Sequence, residues 1–129
     1  MVVASGRMQL LRMAEYSPKR GAATALQCGP FLVDRGQSVP GLNDTRAARR
    51  TFMISGGADR AAIGFCSGVT LAQLGKILAT PGVAPDVKVQ RALNLDGGSS
   101  SAFWFAGERG PFSISEQKTV RNFVAVVPR

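Results

Sequence analysis

Only one stretch of the 129-residue chain reads as a helix, and that scarcity decides what the rest can build. After Val69, Thr70 takes the N-cap position and Gln73, three residues on, completes a capping-box pattern. Leu71, Leu74, Ile77 and Leu78 fall on one face, and Thr80-Pro81-Gly82 ends the helix because proline cannot continue it. Parallel strands need long crossovers, usually helical, so a chain with one helix has to pair its strands mostly antiparallel. The expected fold is α+β: a mixed, mostly antiparallel sheet of five or six strands in a single domain over residues 1–129, with one main covering helix. With 45% hydrophobic residues, a chain of this length can bury a real core.

The remaining apolar runs are short and bounded by turn residues. Residues 26–33 (LQCGPFLV) read as a strand bent at Gly29-Pro30, with DRGQ as the following turn. Residues 51–55 (TFMIS) and 61–68 (AAIGFCSG) form a hairpin around Gly56-Gly57-Ala58-Asp59. Residues 87–95 give another strand, which the polar turn 96–101 returns into AFWFA as a second hairpin, and residues 120–127 (VRNFVAVV) read as a C-terminal strand. No apolar run is long enough for a membrane span, and Arg7 and Arg12 interrupt the N-terminal run that an export signal would need.

The chain has no histidine, which removes Ser-His-Asp and Cys-His nucleophile systems and the usual histidine-containing zinc shells. An enzyme built from it works with carboxylates, arginines, hydroxyls and backbone amides. Neither Cys28 nor Cys66 sits in a metal-ligand spacing, and both read as buried free thiols, with a single cross-strand bridge in an oxidising compartment as the alternative. No cofactor and no metal site is expected; Asp96 and Asn94 alone offer too few ligands for a divalent ion. The net charge of +8 favours an anionic ligand. Nine basic and four acidic residues in the first 64, against seven and four in the rest, make no basic tail or stripe. Phe103, Trp104 and Phe105 are consecutive and cannot share one strand face, so no stacking platform for nucleic acid is expected.

The strongest chemical signal is Asn94-Leu95-Asp96-Gly97-Gly98-Ser99. Alternation along a strand puts Asn94 and Asp96 on one face, while Gly97-Gly98 permits backbone shapes in which consecutive amides converge on an anion. Ser99 to Ser101 add hydroxyls. The competing reading is a tight turn in which Asp96 and Ser99 satisfy local amides. Arg49-Arg50-Thr51 opens a strand, where one arginine fork can meet a phosphate; a solvated strand end explains the same residues. Gln27 beside Gly29-Pro30 carries a weaker signal of the same kind.

Taken in order, ALQCGPFLV at 25–33, RRTFMI at 49–54, SGVTLAQLGKIL at 67–78, ALNLDGGSSSAF at 92–103 and VRNFVAVVP at 120–128 resemble the phosphodiester glycosidase family, which includes the enzyme that uncovers mannose 6-phosphate by removing N-acetylglucosamine from its diester. The resemblance implies a hydrolase cleaving a sugar from a phosphodiester, with Asp96, Arg50 and Asn94 as catalytic residues and Gly97, Gly98, Ser99, Thr51 and Gln27 around the substrate. The partner it implies is a carbohydrate or sugar phosphate, in bacteria often in periplasmic, secreted or polysaccharide-associated settings. A non-catalytic module holding anionic polysaccharide or sugar phosphate in the same cleft is the second reading. Family domains also carry an NGGYF-like block in an N-terminal half. No such block occurs here and residues 1–24 read as the middle of a domain, so the expectation is a domain lacking that half, which argues against full activity of this form.

Overall fold

A computed structural model describes the chain except for Ser5, Gly6, Ala23, Ala58, Asp59, Arg121, Pro128 and Arg129. The strands are β1 (Val2–Ala4), β2 (Arg7–Gln9), β3 (Thr24–Ala25), β4 (Phe31–Asp34), β5 (Gln37–Ser38), β6 (Ala48–Gly56) and β7 (Arg60–Val69); after α1 (Leu71–Ala79) come β8 (Arg91–Gly97), β9 (Phe103–Gly107) and β10 (Gly110–Ile114). A five-stranded sheet in the order β5-β4-β8-β6-β7 forms the centre, joined by a three-stranded sheet β2-β1-β3 and the hairpin β9-β10. Every pairing among the described residues is antiparallel. The architecture is therefore α+β, with one α-helix on a mostly antiparallel framework.

The helix forms where its cap predicts. Thr70 Oγ1 accepts from the Gln73 amide at 3.1 Å and Gln73 Oε1 accepts from the Thr70 amide at 2.9 Å, a pair of bonds contributing about 1 kcal/mol. Leu74 and Leu78 are buried against Leu32, Val33, Ile54 and Ala92. Gly75 lets the helix sit close to β4 and β5, since a Cβ there would stand 2.9 Å from the Leu32 carbonyl oxygen. Ile77, placed on the same stripe by sequence, is 43% exposed: the helix lies on a narrow part of the sheet, and its outer edge overhangs solvent.

The opposite face of the sheet packs Met53 and Leu93 against Leu10, with Cys28, Phe31, Ile63, Leu95 and Val124 around them. β8 is thus covered on both sides, which is why its sequence is nearly continuously apolar. An ion network ties the N-terminal segment to this face. Arg12 meets Asp34 at 2.8 Å, and Arg91 meets Asp34 at 3.1 Å and Glu15 at 2.6 Å. The Arg91 hydrogen bond, then the Arg12 amide, hold the Glu15 carboxyl down from 4.5 to about 2. Unfolding raises that pKa back, so the contribution is complete above pH 4.5 and is lost as pH falls toward 2. Glu15→Gln is expected to flatten this acid limb in thermal melts taken from pH 7 to 2.5. The effect is about 1 kcal/mol or less, because the side chain is 39% exposed and salt screens it.

Three strand expectations need correction. The strand expected at 87–95 is β8, which starts only at Arg91, and it does not pair with AFWFA: β8 is held between β4 and β6, and β9 pairs instead with β10, Phe105 opposite Phe112. Long-range partners on both sides claim β8, so the polar turn after it leaves the sheet. Residues 122–127 form no strand; Val124 packs inward while Phe123, Val126 and Val127 are exposed. The strand at 26–33 starts only at Phe31, after a cis Gly29-Pro30 bond, because proline removes a ladder donor. The β6-β7 hairpin is as expected, although Ala58 and Asp59 of its turn lie outside the described residues. Cys28 and Cys66 are free but half-buried rather than buried, on opposite faces of the sheet; burial pushes the Cys28 thiol up.

Candidate functional site

The C-terminal end of β8 lies beside the start of β6, which brings the two polar motifs together. The cross-strand pairs are Phe52 with Asn94, Thr51 with Asp96 and Arg50 with Gly97. Between the first two the register slips by one residue, so Leu95 and Asp96 both oppose Thr51 in a β-bulge. The bulge breaks the period of two. Asn94 shares the helix-covered face with Phe52 and Arg50, whereas Asp96 shares the other face with Thr51. The expectation that Asn94 and Asp96 emerge side by side is therefore corrected: the sheet end stands between them.

Arg50 is the unusual group. It is only 8% exposed, and no carboxylate pairs with it among the described residues. Its Nη2 donates to the Arg46 carbonyl at 2.9 Å and its Nε is buried without a partner. The guanidinium lies across Gly97, so close that a Cβ at that position would overlap Nη1. Glycine here is a requirement of space, since only a residue without a side chain lets the arginine reach over the strand end. Burial, and then the charge of Arg46, pull the Arg50 pKa down from its ordinary value. A buried cation without a counter-ion is costly unless an anion arrives to complete it. Its neighbour Arg49 is committed elsewhere, donating to the Ser115 carbonyl at 2.9 Å.

Asp96 is exposed and fixed. Oδ1 accepts from the Gly97 amide and Oδ2 from the Ser100 hydroxyl, each at 2.6 Å. An ionised carboxylate has about four lone-pair sites, so two of these bonds orient it and leave room for a proton or a substrate atom. Asn94 is buried; its Nδ2 donates to the Gly29 carbonyl at 3.1 Å, while Oδ1 has no partner. Thr51 is half-buried in the row with Asp96.

The glycine pair does not form the anion cradle expected from sequence. Gly97 N–H is taken by Asp96, and Gly98 N–H donates to the Arg49 carbonyl at 2.9 Å. Both amides are engaged, that of Gly97 by Asp96 as the competing turn reading foresaw and that of Gly98 by the neighbouring strand. Ser99 serves through its carbonyl, which accepts from the Gln117 and Lys118 amides. Gln27 is exposed and lines a cavity of about 540 Å³ with Tyr16, Arg12, Cys28 and Leu93, on the face away from α1.

A sequence model of the phosphodiester glycosidase family matches residues 2–127. The chain belongs to the phosphodiester glycosidase family. No curated protein and no solved structure matches it. In this phosphodiester glycosidase, contacts that the sequence reading did not assign surround the candidate residues. Ser100 holds Asp96 through a turn that brings them together four positions apart, the Arg46 carbonyl anchors Arg50, and the Ser101 hydroxyl is buried without a partner. The run of three serines gave no means of telling their roles apart, because a turn, unlike a strand, has no fixed side-chain period. No cluster of three or more metal-binding side chains occurs among the described residues, and no described helix is long and apolar enough to cross a membrane.

Proposed function

We propose that the chain is a hydrolase that releases a sugar from a sugar 1-phosphodiester at the end of strands β6 and β8. The observation that carries this reading is the buried side chain of Arg50, without a carboxylate partner among the described residues, laid over Gly97 at the strand end from which the exposed and oriented carboxylate of Asp96 leaves on the other face. Arg50 supplies a fixed, partly desolvated cation for the phosphate, and its planar fork suits two phosphate oxygens. Asp96 takes the proton of an attacking water, or attacks the anomeric carbon itself. The bond from that carbon to the phosphate oxygen breaks, the electron pair leaves on the phosphate, and water supplies the hydroxyl of the freed sugar. A phosphate monoester leaves readily as an anion, so the strong acid that ordinary glycosidases aim at the leaving oxygen is dispensable. Asn94, buried on the far side of the same strand, acts by holding the Gly29 carbonyl and so the start of β4 beside the strand end.

The purified chain is expected to release free sugar and a phosphate monoester, in equal amounts, from a sugar 1-phosphodiester carrying a simple alkyl group as aglycone. Inorganic phosphate or an alcohol as the other product would mean that a P–O bond breaks, and that the site acts as a phosphodiesterase. Binding of the diester with no release of either product would support the non-catalytic module instead.

A further inference from the structure

On the face that carries Asp96, the row across the sheet continues: Asp96 on β8, Thr51 on β6, Phe65 on β7. Cross-strand partners share a face, so the three side chains stand in line. The line does not stop at the edge strand. Phe65 meets Phe103 with ring centroids 6.4 Å apart, Phe103 meets Phe105 at 6.4 Å, and Phe105 meets its cross-strand partner Phe112 at 5.8 Å. This aromatic face escapes a sequence reading that sees only Phe103-Trp104-Phe105, because Phe65 and Phe112 come from other strands. The inner two rings anchor the β9-β10 hairpin to the sheet; the outer two, Phe105 and Phe112, lie beyond that anchor and stay 49% and 48% exposed.

We infer that this row is a carbohydrate-binding track, on which sugar units beyond the cleaved bond stack as they lead away from Asp96. It rests on Asp96 marking the cleavage end. A pyranose ring presents a flat C–H face and a rim of hydroxyls, which fits aromatic rings flanked by polar groups. The turn at the far end of the row supplies exposed Glu108 and Arg109. A single-stranded nucleic acid would need cations along its backbone beside the rings, and there the one arginine is offset by the one glutamate. A purely apolar ligand finds only two half-exposed rings with charge beside them. Trp104 is more exposed, at 64%, but lies opposite Ser113 on the other face of the hairpin and is outside the track.

The test uses the full chain carrying Asp96→Asn, so that binding is read without cleavage, titrated with neutral tetrasaccharides of glucose, galactose, mannose and N-acetylglucosamine and with the alkyl sugar 1-phosphodiester. At least one tetrasaccharide binds, and Phe105→Ala and Phe112→Ala each weaken it about 2- to 10-fold, the size of an aromatic contact, while the short diester is unaffected. Phe105→Leu and Phe112→Leu, which keep apolar packing but remove the ring, give the same loss, and Trp104→Ala gives none. The track is overturned if no tetrasaccharide binds, if the leucine variants bind like the parent, or if Trp104→Ala weakens binding equally. It is also overturned if an oligothymidine or dodecyl phosphate, rather than a glycan, is the ligand that depends on Phe105. Failure of the parent chain to hydrolyse the short diester, with tetrasaccharide binding still dependent on Phe105 and Phe112, removes the catalytic reading alone.

Discussion

Asp96→Asn lowers turnover of a sugar 1-phosphodiester by about 100- to 10,000-fold, the range set by loss of a positioned acid–base group, and leaves affinity for the diester within about threefold. The substitution keeps shape. An asparagine Oδ1 still accepts from the Gly97 amide, and its Nδ2 can donate to the Ser100 oxygen, so the turn that follows β8 retains both of its ties. What disappears is the negative charge and the ability to take a proton from water. Because the side chain is exposed, no buried group is orphaned by the change, and thermal stability should move by less than about 0.5 kcal/mol. Steady-state rates and binding to the same diester are the two measurements that decide it. A variant with unchanged turnover would remove Asp96 from the chemistry and leave it as a turn residue; a parent that binds without turnover, matched by the variant, would leave a binding module.

The features legible in the sequence were those decided locally. The capped helix α1 and the β6-β7 hairpin rest on signals within a dozen residues, and the structure has both. The pairing of β8 is decided by β4 and β6, distant in sequence, so the polar turn 96–101 read as a hairpin where none exists. The site shows the same division. Residue types singled out the candidates, and Arg50, Thr51, Asp96 and Gly97 do share one strand end. Their faces were not legible, because a single additional residue at Leu95 reverses the alternation on which that inference depended. Nor could sequence show that the amides of Gly97 and Gly98 are already engaged. The purpose of Gly97 lies in what a neighbouring strand lays over it rather than in its own backbone freedom.

That overlay makes Arg50 the sharper test of the two. Arg50→Met is expected to reduce turnover by about 100- to 1,000-fold, the loss seen when a preorganised charge stabiliser is removed, while leaving thermal stability unchanged or raised. The opposite signs follow from the surroundings. An arginine 8% exposed, with its Nε unpartnered and no carboxylate beside it among the described residues, bears a desolvation cost that the hydrogen bond to the Arg46 carbonyl, about 1 kcal/mol net, only partly offsets. Methionine fills the path of the arginine stem without charge. Stability gained as activity is lost marks a group retained for function. Arg50→Lys keeps the cation but loses the fork, and should recover only part of the rate. Gly97→Ala completes the argument from the other strand: it leaves Arg50 in the chain yet forces the guanidinium off its seat, so it should slow turnover by about tenfold or more through misplacement alone. If Arg50→Met instead unfolds the domain and Gly97→Ala leaves the rate untouched, the arginine is a structural cation holding the 46–50 segment, and the phosphate must be met elsewhere.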